Sequence, residues 1–415
     1  MSSLRSLLAS HRYDAVVAWA VTLGLVGAVG QFLRAGEPDW AVFTALLVAV
    51  AVVVPVATRD PTVTIPAELL AVVALPVAVR AAGALPQATP FVAAAALALL
   101  VAVVLDAFTS LSMTPRFAAV FVVVTTMAAA GAWAVGVWLV DTVAGTTFVG
   151  GKTELMWDLV VATAVGIGAG VLLDGYFHVS DRIDRLRSAT GGDTDDADDT
   201  ADTGTDLPGA VHQHTAVVRA LQLVLVGITV VALARGNATL AVNSAGPLAI
   251  TFLPAVFRRE YDYAMDTGLV LWITLAATLH AIGAFALYGS LGWYDSLTHT
   301  FSASIVAGVG YALARSVERH THAVSFTRGF RAAFVVLFVL AVGVAWEIME
   351  FASGGLATLI GGEAVLAQYG TTDIVNDLVF NTVGAVLAAA LASAHFEGIA
   401  DRLVGSVGVL VRGGE

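Results

Sequence analysis

The chain has 415 residues, of which 58% are hydrophobic and 13% charged, and its mean hydropathy is +0.85. These values fit a polytopic membrane protein and exclude an ordinary soluble domain. A net charge of -12 argues against a nucleic-acid partner, and the absence of cysteine rules out disulfides, thiolate metal sites and cysteine nucleophiles.

After Ser2–Asp14, an apolar segment runs from Ala15 to about Phe32, too long for a typical signal-peptide core, so it reads as a retained first helix. Further apolar spans are predicted at about 40–57, 65–83, 90–109, 117–140 and 156–175, each near the ~20 residues that cross a bilayer. The composition then changes abruptly. Gly191–Gly209 carries seven aspartates and almost nothing apolar, which predicts a solvated, disordered linker. Apolar spans resume at about 215–234, 241–257, 266–288, 296–314, 332–354 and 374–394. Lys152 is the single lysine, and together with the Asp, Thr, Ala and Val bias this suggests a host with high internal salt.

Six spans on each side of a linker prompt a search for repetition. Glu154-Leu-Met-Trp-Asp158 aligns with Asp373-Ile-Val-Asn-Asp377, and Pro55-Val-Ala-Thr-Arg59 resembles Pro254-Ala-Val-Phe-Arg258. The expectation is an all-α membrane bundle of about twelve transmembrane helices in two tandem six-helix repeats. Residues 1–187 form a degenerate repeat, 188–211 the acidic linker, 212–396 the domain with the polar site, and 397–415 a cytoplasmic tail. Sixteen of the twenty basic residues fall on one side of this arrangement; only Arg34, Arg80, Lys152 and Arg235 fall on the other. The excess of arginine marks the cytoplasmic side, so both termini and the linker are expected inside a plasma membrane. Asn237-Ala-Thr239 is then a sequon on the outer side, a weak signal for glycosylation.

The second half carries ionisable residues in apolar sequence: His280, Asp295 and His299, Glu347 and Glu350, then Asp373 and Asp377, with Asn381 one turn beyond. The pairs lie at i,i+3 or i,i+4, so each shares a helix face. Charge inside a bilayer is costly and marks a functional site by default. The deduced orientation brings all four helices' polar groups to one depth, in the outer leaflet. Five carboxylates meet two histidines there, and buried carboxylates must hold a proton or recruit a cation. Oxygen and imidazole donors suit Zn, Mn or Fe, and carboxylates alone Mg or Ca. The expected ligands of a divalent metal ion are His299, Glu347, Asp373 and Asp377, with Asp295, Glu350 and His280 as supporting catalytic groups.

Plainer roles exist for the same residues. Asp295 and Asp373 precede helices and would serve as N-caps. His280 would bond a backbone carbonyl, Asn381 would join helices, and His320 and His322 would be solvated in a basic loop. Trp293 and Tyr294 fit an interfacial aromatic belt.

Four blocks, Leu279-His280-Ala-Ile-Gly283-Ala284, Tyr294-Asp295-Ser-Leu-Thr-His299, Trp346-Glu347-Ile-Met-Glu350-Phe351 and Gly370-Thr-Thr-Asp373 with Asp377, resemble the YjdF-like family of prokaryotic inner-membrane proteins. A more distant similarity links the D-x3-H block to VanZ-like proteins. The resemblance covers about His280 to Ala392 and implies an integral membrane protein of unassigned activity. Where the family pattern has a Gln and a further Asp in the last block, this chain has Thr372, Asn376 and Asn381. Two functions fit the cluster: a metal-dependent site acting on a membrane lipid or its headgroup, or a proton or cation relay in a transporter. A third reading keeps the carboxylates neutral and structural. Membrane lipid is the expected partner in each, and the sequence identifies no protein partner.

Overall fold

The computed structural model describes residues 12–84, 89–108, 114–188, 211–261, 265–320, 326–361, 364, 366 and 368–395. The expected linker at Gly191–Gly209, the tail at 397–415 and His322 lie outside the described residues. Every regular element described is helical. The helices are α1 (Arg12–Ala35), α2 (Pro38–Thr58), α3 (Ala67–Ala81), α4 (Thr89–Phe108), α5 (Pro115–Ala144), α6 (Lys152–Ser188), α7 (Val211–Ala234), α8 (Ala238–Ile250), α9 (Leu253–Tyr261), α10 (Thr267–Ile282), α11 (Gly292–His320), α12 (Arg328–Ile360) and α13 (Thr371–His395). A π-helical turn, Gly283–Leu287, continues α10.

Local chemistry sets several of these boundaries. The Thr114 hydroxyl accepts the Phe117 amide with Pro115 at the first helical position, and Asp266 accepts the amides of Gly268 and Leu269. Asn237 of the sequon caps α8 through the Leu240 amide at 2.8 Å, and Thr239 donates to the Ala364 carbonyl at 3.1 Å. The eighth apolar segment is broken where one span was expected. Pro254 cannot donate to the Ile250 carbonyl, and α8 ends there before α9 begins at Leu253. Between α2 and α3, the Thr62 hydroxyl and amide hold the Asp60 carboxyl below its ordinary range.

Among the described residues, ten helical segments are long and apolar enough to cross a membrane. At 15 residues, α3 is about 22 Å long, short of the ~30 Å hydrocarbon core. The described apolar stretch of α4, Thr89–Ala102, is also short.

The chain divides into two compact units: Met1–Ile183 with Val317–Ala333, and Asp184–Ser316 with Phe334–Glu415. In the first, Leu25, Phe32, Leu47, Val54, Leu70 and Leu100 build a core among α1 to α4. Arg80 at the end of α3 pairs with Glu37 at 3.0 Å and lies over the Trp40 ring, which fixes the start of α2 and the end of α3 together. Phe326 and Phe330 pack on Phe117 and Phe121, and Arg331 grips Glu318 through contacts of 2.8 and 2.9 Å.

In the second unit, α7, α8 and α10 pack on one another. Ala303, Ala307, Val335, Val339, Ala385 and Ala388 join α11, α12 and α13. The helices alternate in direction, because Thr239 at the start of α8 meets Ala364 beyond the end of α12, and Arg235 beyond α7 lies over Phe285 beyond α10. One end of the unit therefore gathers the starts of α8, α11 and α13 with the finishes of α7, α10 and α12.

Candidate functional site

The polar residues singled out in the sequence collect near that end. Asp295 lies in the first turn of α11 and His299 one turn further, so both point to one side. From α13, Asp377 and Asn381 occupy the facing side. His299 Nε2 stands 3.7 Å from Asp295 Oδ1 and 3.4 Å from Asp377 Oδ1, while Nδ1 lies 3.3 Å from Asn381 Oδ1. Ligand atoms of Asp295, His299 and Asp377 all fall within 4.8 Å of one another. Asp377 is 4% exposed and Asn381 7%.

Close helix packing makes this approach feasible. A side chain at Gly384 on α13 would strike the Thr300 carbonyl oxygen and the Ala303 methyl of α11. Gly343 on α12 likewise admits Asn381 and Leu378 of α13. Small residues at such crossings let membrane helices approach closely.

These groups face a cavity of about 580 Å³. His280, Asp295, His299, Glu350, Asp373, Asp377 and Asn381 all line it; neither arginine nor lysine does so among the described residues. Glu347 does not line it. It is fully buried in α12, where Gln368 donates to Oε2 at 2.8 Å while Oε1 has no hydrogen-bond partner among the described residues. Glu350 accepts the Trp346 indole N–H at 2.9 Å.

Neither aspartate expected as a possible cap is the residue before its helix. Asp295 lies inside the first turn, and Asp373, also in a first turn, reaches back to accept the Tyr369 amide at 2.8 Å. Among the described residues, His280 meets side chains and not a backbone carbonyl. Its Nε2 meets Asn243 Oδ1 at 3.2 Å and its Nδ1 meets the Tyr288 hydroxyl at 3.0 Å. Asn381 does join helices, through His299.

Three participants escaped the sequence reading, Asn243, Tyr288 and Gln368, and Trp346 entered it only as a block residue without a role. Asn243 was detectable as a lone amide in an apolar span. Tyr288 comes into reach only through the π turn after Ile282, a distortion that often accompanies functional sites. Gln368 acts from a loop that carries no periodic signal.

Chemically, the cluster offers one imidazole and two carboxylates at hand, with two further carboxylates, Glu350 and Asp373, on the cavity wall. Such a set can hold a cation or carry protons; the cavity beside it can admit a ligand.

Neither the curated proteins nor the solved structures include a significant match to the chain. A family described as a domain of unknown function (DUF8268) matches residues 2–64. Residues 216–398 match the model of a family described as "Predicted membrane protein (DUF2238)", which supports a membrane family of unknown function without confirming the YjdF-like or VanZ-like naming.

Proposed function

We propose that the second unit is a membrane-embedded divalent-cation site, built on Asp295, His299 and Asp377, that acts on the polar head of a membrane lipid. One observation carries this reading. Asn381 Oδ1 can only accept, so His299 Nδ1 donates to it, and neutral Nε2 then turns its lone pair toward two carboxylate oxygens. Three acceptors facing one another need something positive between them. The separations of 3.4 and 3.7 Å favour an ion over a proton. Direct charge-assisted N–H···O bonds span ~2.7–2.9 Å, whereas donors held tetrahedrally ~2.0–2.2 Å from a metal stand roughly 3.4 Å apart.

With Asp295, His299 and Asp377 as its protein ligands, a bound cation would supply Lewis-acid chemistry and could activate water admitted by the cavity. Glu350 is the candidate base in this reading. Asp373 adds a further carboxylate on the cavity wall, Asn381 orients the ligating ring, and His280 and Glu347 support the site from behind. The donor set suits Zn, Mn or Fe.

The same proposal includes twelve spans in tandem duplication, with residues 1–187 as a degenerate copy, both termini cytoplasmic and the site in the outer leaflet of the plasma membrane. Two features support the duplication. The first three spans pack mutually in each unit, α1 with α2 and α3, and α7 with α8 and α10. Acidic pairs four residues apart also open the last helix of each, Glu154 with Asp158 on α6 and Asp373 with Asp377 on α13.

Elemental analysis of protein purified without chelator tests the reading. Wild type should carry about one divalent ion per chain, as a resident site coupled to folding would, and His299→Gln should lose it. Metal-free wild type, or full retention by the variant, would leave the relay reading as the better one.

A further inference from the structure

The cavity beside the candidate metal centre is long, and its chemistry changes along its length. Its deep walls are apolar: Pro247 and Ile250 from α8, Ile273 and Ala277 from α10, Val306 from α11 and Val342 from α12. Each of these lies on the same side of the polar cluster. Asp295 and Val306 are eleven residues apart on α11. At ~1.5 Å per residue the slot therefore spans about 16 Å from Asp295 to Val306, close to half of the ~30 Å hydrocarbon core. Its depth matches the acyl chains of one leaflet.

Water is a poor occupant of such a space, since each buried molecule needs two or more polar partners. An empty slot is poor too, because every wall atom forfeits its dispersion contacts. An alkyl chain satisfies the walls. It also has an entrance: Val242 and Ile250 line the slot yet are 50% and 49% exposed, so the slot opens sideways along α8. The polar end decides the head. Carboxylates repel an anion unless a cation intervenes, and a cation with an open position binds an anionic oxygen.

We infer that this cavity is a binding slot for a lipid with an anionic, phosphate-type head, one chain lying along α8, α10, α11 and α12 and the head oxygen meeting the cation at Asp295, His299 and Asp377. The head assignment rests on the cation proposed above; the chain assignment does not.

The test uses dodecyl phosphate carrying a diazirine in its chain, photolysed with the full-length protein in lipid nanodiscs, with labelled peptides mapped by mass spectrometry. Labelling should fall on Ile273–Ala277 and Ile305–Val306 and be competed by unlabelled dodecyl phosphate. Ala277→Phe and Val306→Phe should abolish it while retaining bound metal. If a variant misfolds, the wild-type map still decides. Labels confined to outward residues such as Leu223 and Val230, without competition, would overturn the slot. Asp377→Asn separates the two claims. Loss of metal together with loss of phosphate labelling supports both, whereas slot labelling that persists without metal removes the cation's role in holding the head. Preferential labelling by the dodecyl trimethylammonium analogue would overturn the anionic head.

Discussion

Replacing Gly384 by alanine probes the packing on which the site depends. The added Cβ would meet the Thr300 carbonyl oxygen, approach the Ala303 methyl to 2.8 Å and the Thr300 carbonyl carbon to 3.1 Å. Ordinary carbon contacts are ~3.5–4.0 Å, so α13 and α11 must part by about 1 Å. Two of the three obstacles are backbone atoms, which no rotamer change can move aside. Overpacking of this kind costs about 1–3 kcal/mol. The displacement is felt at once by the neighbouring residues, because Thr300 follows His299 and Gly384 lies three residues after Asn381. A shift of that size would break the 3.3 and 3.4 Å approaches of His299 to Asn381 and Asp377. Gly227 on α7 supplies the control. A Cβ there meets nothing within 4 Å, and alanine should be neutral or stabilise by up to ~1 kcal/mol. Denaturation in dodecyl maltoside, followed by circular dichroism, should separate the two variants, with Gly384→Ala also binding cation ~10–100-fold more weakly. Equal stability and equal cation binding in both variants would refute the packing argument.

Asn381→Leu removes the acceptor that orients the His299 ring and should weaken cation binding ~10–100-fold while leaving the fold intact, as read by competition with a fluorescent chelator. Tyr288→Phe leaves His280 Nδ1 without its hydroxyl partner and should cost about 1–3 kcal/mol of stability without releasing metal; loss of the ion would place His280 closer to the chemistry than the geometry does. Reporter fusions at Gly204 and Gly361 should read cytoplasm and exterior respectively, and the opposite pattern at either position would overturn the proposed orientation.

Each apolar span expected from the sequence coincides with helix, because length and hydropathy are sufficient signals for such segments. Helical spacing also brought Asp295 to His299 and aligned Asp377 with Asn381, since residues four apart are neighbours whatever the helix packs against. What spacing lacks is the rotation of a helix against its neighbours. Glu347 and Glu350 differ by about 60° around α12 at ~3.6 residues per turn, yet Glu350 faces the cavity and Glu347 turns to Gln368. Rotation also turns Glu347 away from His299 and Asp377, whereas Asp373 shares the face of Asp377 and lies one turn, about 6 Å, further along α13. The π turn at Gly283–Leu287 changes axial position without altering hydropathy, so Tyr288, a partner of His280, stayed hidden.

The proposed centre stands on Asp295, His299 and Asp377 holding a divalent ion. Metal content, measured by elemental analysis on five matched variants, tests it most directly. Asp295→Asn, His299→Gln and Asp377→Asn should each lose the ion, whereas Glu347→Gln and Asp373→Asn should keep most of it, because their carboxylates lie outside the group of facing donor atoms. Equal retention by all five, or loss on changing Glu347 with retention on changing Asp295, would rule out a centre built on these three residues.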